Sequence, residues 1–150
     1  MYKVLIVDDS KTFHTYLKDL IGSFFELHHL LDPRDCLHCL ENKHVDIILL
    51  DLEMPHIDGF SLSQLIHENE KLSTIPILIL TGSYSEKLIM GAIDSFAMDI
   101  LPKDSKKEFL IQKINGVVRQ KRLIEDATRK KQIMAINAML ATTNHELNNA

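Results

Sequence analysis

The sequence predicts an α/β fold built on one parallel sheet covered on both faces. Three observations carry that prediction. Short apolar runs alternate with segments of helical periodicity five times along the chain. The runs Val4-Leu5-Ile6-Val7, Ile47-Ile48-Leu49-Leu50 and Ile77-Leu78-Ile79-Leu80 show no in/out alternation, as strands buried on both faces require. Each of these runs also ends on a polar side chain, where open parallel sheets carry their ligand chemistry.

The elements follow in order. Lys3–Val7 reads as the first strand. Ser10 is a helix N-cap, and Phe13, Tyr16, Leu17 and Leu20 follow at helical spacing until Gly22. Phe25–Leu30 is the second strand. Asp32 caps a helix over Pro33–Asn42 that has proline at its first position. Val45–Leu50 is the third strand, and Phe60, Leu62, Leu65 and Ile66 mark the third helix. Pro76–Leu80 is the fourth strand, Ser85–Ser95 the fourth helix, and Asp99–Leu101 a short fifth strand. The last helix starts near Ser105, with Glu108 completing a capping box. Gly116 is its one breaker, and a single glycine costs about 1 kcal/mol without ending a helix.

Composition narrows the class. The 150 residues suffice for one domain and a modest appendage. No apolar run approaches the roughly 20 residues that span a bilayer. The N-terminus lacks a signal-peptide core, so the expectation is a cytoplasmic protein with no membrane partner. Residues 1–117 carry 11 Lys and Arg against 18 Asp and Glu, which argues against nucleic-acid binding by that body. Residues 118–150 carry 6 against 3, a small basic excess on a solvated helix face. Cys36 and Cys39 form one C-x-x-C, too little for a zinc site, and they read as half-buried helix residues. No glycine-rich dinucleotide or P-loop motif is present. The turn after the first strand is the acidic Asp8-Asp9-Ser10.

The strand ends define the chemistry. If the first and third strands are neighbours, Asp8, Asp9 and Asp51 converge. Two carboxylates about 4 Å apart repel by roughly 4 kcal/mol at an effective dielectric near 20. That repulsion calls for a cation. Mg²⁺ fits, since it takes a few carboxylates and keeps waters that a phosphate can replace. Lys103 can offset one charge and the Thr81 hydroxyl can bond a phosphoryl oxygen. Phosphoryl transfer needs mainly positioning and charge neutralisation, and an Asp carboxylate can itself be the nucleophile.

This set resembles the receiver domain of two-component response regulators over roughly residues 2–120. The resemblance rests on Asp8-Asp9, on Asp51 with Met54-Pro55 and Asp58-Gly59, on Thr81-Gly82, and on Lys103 behind Ala97, Asp99 and Leu101. The order and spacing match as well, 30 residues from Asp51 to Thr81 and 22 more to Lys103. It implies a flavodoxin-like fold with strand order 2-1-3-4-5. It implies Asp51 as phosphoacceptor and Mg²⁺ held by Asp8, Asp9, Asp51 and the Glu53 backbone carbonyl. Thr81 and Lys103 then contact the phosphoryl group. A sensor histidine kinase or phosphotransfer protein is the implied donor. Two features depart from the pattern. Ile100 stands where the family commonly has an aromatic residue, and Pro102 precedes the lysine rather than following it. Asp104 is then a competitor for Lys103. A related phosphatase is the enzymatic alternative, because Glu53 lies two residues after Asp51. The Asp-x-Asp motif such enzymes carry near the N-terminus is missing.

The tail adds a second signal. Ile133, Ile136, Leu140, Thr143 and Leu147 recur at spacings of 3 and 4, and Met134, Ala138, Ala141 and His145 form an adjoining stripe. A band this wide needs a partner helix, so a homodimer through this segment is expected. Thr142–Asn149 resembles the H-box of a sensor histidine kinase, which implies His145 as a second phosphoacceptor and Glu146 as its acid/base partner. The expected organisation is a receiver over 1–120 and a helical linker over 121–150. The chain is expected to be part of a receiver fused to a kinase, without autokinase activity of its own. A receiver used only as a phosphate-independent dimerisation module is the remaining alternative. The other histidines, His28, His29, His38, His44 and His67, share no metal-ligand spacing. His56 lies in the loop beside Asp51.

Overall fold

The computed structural model describes residues 1–83 and 85–148, with the backbone alone described at 87, 89, 93 and 144–148. The elements are β1 (Lys3–Val7), α1 (Lys11–Ile21), β2 (Glu26–Leu30), a 3₁₀ turn (Pro33–Asp35), α2 (Cys36–Asn42), β3 (Ile47–Asp51), α3 (Gly59–Glu68), β4 (Ile77–Thr81), α4 (Glu86–Ile93), β5 (Asp99–Pro102) and α5 (Lys107–Asn148). The strands pair in parallel in the order β2-β1-β3-β4-β5, the flavodoxin-like arrangement. No helix among the described residues is long and apolar enough to cross a membrane.

Two layers of apolar side chains hold the sheet. Leu5, Val7, Ile48, Leu50 and Ile79 join Leu40 of α2 and Leu62 and Ile66 of α3 in one cluster. The alternate residues Val4, Ile6, Ile47, Leu49, Leu78 and Leu80 are equally buried, and a period of two turns them to the opposite face. Register identifies the helix on that face. Ile6 lies opposite His29 on β2, and His29 bonds His14 of α1.

Local signals set the helix ends. Ser10 Oγ accepts from the Phe13 amide, Asp58 Oδ1 from Ser61 and Ser85 Oγ from Leu88. Asp32 caps as expected, yet the helix begins as the 3₁₀ turn and becomes α-helical only at Cys36. The buried stripe of α1 is His14, Leu17 and Ile21, while Tyr16 is exposed. α5 begins at Lys107, and its first amide bond runs from Leu110 to the Lys106 carbonyl, so the cap position falls on Lys106 and not on Ser105. The Ser105 hydroxyl donates to the Pro102 carbonyl at 2.6 Å.

The chain divides into a unit of Met1–Val117 and a second beginning at Val118. The second is a run of helix with Leu123, Ile124, Ile133, Met134, Ile136, Met139 and Leu140 exposed. Lys121 pairs with Glu125 one turn on, at 3.6 Å, and Arg129 with Asp126 at 3.1 Å.

Gly59 is fixed by close approach. A Cβ there would lie 2.5 Å from the Asp51 carbonyl oxygen and 3.0 Å from the Leu52 Cα. Both are backbone atoms and cannot rotate away. Gly59→Ala is expected to lower stability by about 1–3 kcal/mol, through overpacking at the end of β3. Denaturant titration of the two proteins measures the loss, and an unchanged midpoint would refute this account.

Candidate functional site

Sheet register assembles the polar residues. The last pair between β1 and β3 is Val7 with Leu50, so Asp8 and Asp51 come next at the same level. Asp51 pairs with Leu80, which puts Thr81 one step further along. Thr81 pairs with Pro102, and Lys103 follows. The staggered ends enclose a cavity of about 360 Å³ lined by Asp8, Asp9, Asp51, Glu53, Thr81 and Lys103.

One ammonium ties the acids together. Lys103 Nζ donates to Asp8 Oδ2 at 2.8 Å and stands 3.2 Å from Asp51 Oδ1. Asp8 and Asp51 are nearly fully buried, at 1% and 6% exposure, whereas Asp9 is exposed. The second Asp8 oxygen accepts from the Ser10 amide at 2.8 Å. Carboxylate oxygens of Asp8, Asp9 and Asp51 all lie within 4.8 Å of one another, a hard, oxygen-only donor set that fits a divalent cation such as Mg²⁺. Burial raises the Asp51 pKa to about 6, and the Asp8 charge adds to it. Lys103 and the Glu53 amide oppose that shift without cancelling it. Burial pulls Lys103 down, but the two carboxylates outweigh it and its pKa is raised.

The remaining predicted residues occupy distinct places. Thr81 Oγ1 donates to the Ser83 carbonyl at 2.9 Å and accepts from the Ser83 amide at 3.3 Å, so its hydroxyl is engaged in the loop. Ile100 packs partly buried against the core cluster. Lys103 lies on Asp8 and Asp51, and among the described residues no ion pair joins it to Asp104. His56 has φ of 76°, a left-handed conformation uncommon for a non-glycine residue. Cys36 is buried, which pushes its thiol up to about 12 and keeps it unreactive. The His145 and Glu146 side chains lie outside the described residues.

Two residues beside the site escaped the sequence reading of the pocket. The Phe13 ring lies 4.5 Å from Lys103 Nζ. His14, 6% exposed, makes a 2.7 Å bond from Nε2 to the Asp8 carbonyl and a 2.8 Å bond from Nδ1 to His29 Nδ1. A carbonyl only accepts, so His14 Nε2 carries a proton toward Asp8, and one of the two Nδ1 atoms donates to the other. The spacing of three and four residues from the N-cap was visible in both cases. Nothing in the sequence alone turned either side chain toward β1 and Lys103.

The family profile described as "Response regulator receiver domain" matches residues 4–115. The chain belongs to that family. It is therefore a receiver domain of two-component signalling. Receiver domains generally bind Mg²⁺ at an acidic pocket and interact with histidine kinases or phosphotransfer proteins. The chain is similar to the CAI-1 autoinducer sensor kinase/phosphatase CqsS of Vibrio cholerae, 28% identical over 114 residues, 75% of this chain and 17% of that protein. It is 33% identical over 129 residues to protein-glutamate methylesterase/protein-glutamine glutaminase 1 of Saccharophagus degradans, covering 83% of this chain and 33% of that one. The chain thus spans a third or less of these two relatives. Among solved structures, the receiver domain of a signal transduction histidine kinase from Syntrophus aciditrophicus superposes with TM-score 0.74 at 25% identity, over 80% of this chain and 92% of that one. Vibrio cholerae chemotaxis protein CheY4 gives TM-score 0.71 at 26% identity, over 78% and 98%.

The Asp51 environment has a pH consequence. Its folded pKa of about 6 lies above the ordinary 3.8, so between these values the folded state binds a proton that the unfolded chain has lost. Asp51 then contributes most stability below pH 3.8, and that contribution is lost as pH rises through about 6. Without metal, Asp51→Asn is expected to be about 1–3 kcal/mol more stable than wild type at pH 8, with the gain gone near pH 4. Thermal unfolding across that range checks it, and a gain independent of pH would contradict the assignment.

Proposed function

We propose that this chain is the phosphoacceptor domain of a two-component phosphorelay and that Asp51 takes the phosphoryl group from a partner's phosphohistidine. The observation that carries this reading is a buried carboxylate at a strand end, opening into an acid-lined cavity, with an ammonium 3.2 Å away. In the step, an ionised Asp51 oxygen attacks phosphorus and the P–N bond breaks. The bond's electron pair returns to the donor imidazole, and Asp51 becomes an acyl phosphate. Asp8, Asp9, Asp51 and the Glu53 carbonyl would hold Mg²⁺, which when bound neutralises charge on the phosphoryl oxygens.

The chain's own groups do the rest. Lys103 exchanges its Asp51 contact for a phosphoryl oxygen while keeping Asp8. The Thr81 hydroxyl leaves the Ser83 carbonyl and donates to the phosphoryl group. The modification adds about −1.5 to −2 charge, which draws both residues inward. The face built from α4, β5 and the start of α5 responds, and α5 carries the change to the output. In this reading residues 1–120 are the receiver and 121–150 a linker that dimerises through the exposed apolar residues of α5. The partner is a sensor histidine kinase or a phosphotransfer protein.

A second reading makes the chain the receiver part of a receiver–kinase protein, with His145 as a kinase phosphoacceptor. It is favoured by the H-box-like Thr142–Asn149 and by a relative named sensor kinase/phosphatase.

Labelled acetyl phosphate with Mg²⁺ is expected to place one hydroxylamine-labile phosphoryl group on each wild-type chain, and less than a tenth of that on Asp51→Asn. Equal labelling of the two rejects Asp51 as acceptor. With beryllofluoride and Mg²⁺, the mass in solution is expected to double for the wild type alone. A dimer of the same mass with or without the phosphoryl mimic favours the phosphate-independent module. Sustained turnover of a phosphate ester favours the phosphatase.

A further inference from the structure

We propose that Phe13 is a positioning residue for Lys103. Its ring holds the ammonium in the pocket while Asp51 changes from ion-pair partner to phosphoryl carrier. This inference rests on the reading of Asp51 as phosphoacceptor.

The ring is 4.5 Å from Lys103 Nζ, inside the distance at which an aromatic face attracts a cation. The lysine has three N–H donors. Two carboxylates, at 2.8 and 3.2 Å, are its ionic partners. An aromatic face attracts the charge without being a hydrogen-bond acceptor that competes with them. An acid or amide at position 13 would draw the lysine off the site, and an aliphatic residue would leave it unheld on that side.

The backbone that places the ring is the same turn that holds the acid. The Ser10 amide donates to Asp8 Oδ1 at 2.8 Å, and Ser10 Oγ accepts from the Phe13 amide at 3.2 Å. Asp8 in turn accepts from Lys103 through Oδ2. Acid, cap, ring and ammonium thus close one circuit. Tyr16 stacks on Phe13 with centroids 5.9 Å apart and planes 25° apart, limiting the ring's rotation.

The need for this support arises in the transfer step. When Asp51 becomes an acyl phosphate, Lys103 loses one carboxylate partner and must reach a phosphoryl oxygen. Asp8 alone could hold the ammonium too far inward. The ring supplies a second, non-competing attraction throughout, at a distance that needs no rearrangement.

The test compares Phe13→Leu, which keeps apolar bulk, with Phe13→Trp, which keeps the π face. The first readout is the chemical shift of the Lys103 Cε protons in the resting protein, which senses the ring current without any phosphorylation. The second is the maximal labelling rate with acetyl phosphate, with the half-saturating Mg²⁺ concentration measured alongside. Phe13→Leu is expected to lose the upfield shift and to label about 3- to 10-fold more slowly, with the Mg²⁺ requirement within twofold of wild type. Phe13→Trp is expected to keep the shift and to label within about twofold of wild type. Leucine labelling at the wild-type rate overturns the proposal. So does equal slowing in both variants accompanied by lowered melting temperatures, which marks a packing role. If the wild type takes no label, the Asp51 reading has failed on its own. The lysine shift then decides, and a shift unmoved in Phe13→Leu overturns the positioning role.

Discussion

The site depends on one electrostatic constraint, two buried carboxylates forced together by sheet register. Asp8 and Asp51 sit side by side because Val7 pairs with Leu50. Neither can retreat, since each continues a strand with both faces covered. At about 4 Å in a medium of effective dielectric near 20 their repulsion is roughly 4 kcal/mol, a large fraction of a domain's net stability. Lys103 offsets it from 95 residues beyond Asp8. That contact exists only if β5 lies beyond β4 and β4 beyond β3, so strand order and charge balance are mutually required. Burial first and the Asp8 charge second keep the Asp51 pKa raised even with the ammonium beside it. Asp51 is therefore left short of positive charge. That imbalance at rest is what the proposed cation and phosphoryl group would meet.

Much of this was legible in the sequence, and the misses have physical causes. Continuous apolar runs identified buried strands, and their polar ends named Asp8, Asp9, Asp51, Thr81 and Lys103. Periodicity did not give the strand order, which came from the resemblance. The stripe of α1 was misjudged because hydropathy ranks Phe13 and Tyr16 above His14. Burial went to His14 because both its ring nitrogens are partnered, one by the Asp8 carbonyl and one by His29. Ser105 lies one residue too early to be the cap, because the turn Pro102–Ser105 is closed by the Ser105 amide on the Pro102 carbonyl and the first helical bond runs from the Leu110 amide to the Lys106 carbonyl. Phe13 could not be found as a neighbour of Lys103, since 90 residues separate them and an aromatic at a helix's third position is ordinarily packing.

The resting hydrogen bonds explain how such a site can be poised without being committed. The Thr81 hydroxyl is buried and satisfied by Ser83 in both directions. Releasing it hands the carbonyl and amide of exposed Ser83 to water and leaves the buried hydroxyl in need of a new partner. A typical net hydrogen bond is worth about 1 kcal/mol, whereas one to a charged group is worth about 1.5–3 kcal/mol. A charged acceptor on Asp51 can therefore outbid Ser83, and a neutral one cannot. In the proposed transfer, the charge of what Asp51 carries would set the threshold for releasing Thr81.

Proline before Lys103 strengthens this arrangement. Pro102 has no amide proton and is tolerated because β5 is an edge strand. It sits in register with Thr81, and the next amide, that of Lys103 itself, donates to the Thr81 carbonyl at 2.9 Å. The lysine's main chain is thereby fastened to Thr81, while its ammonium is fastened to Asp8. Proline also limits the backbone leading into Lys103 to one narrow range of φ, so the stem starts from a fixed direction. In the proposed switch, a displacement at Thr81 would pass into β5 through the main-chain bond from Lys103 rather than be absorbed in a slack turn. Along β5 from Pro102, Leu101 is buried and Ile100 packs partly buried against the core.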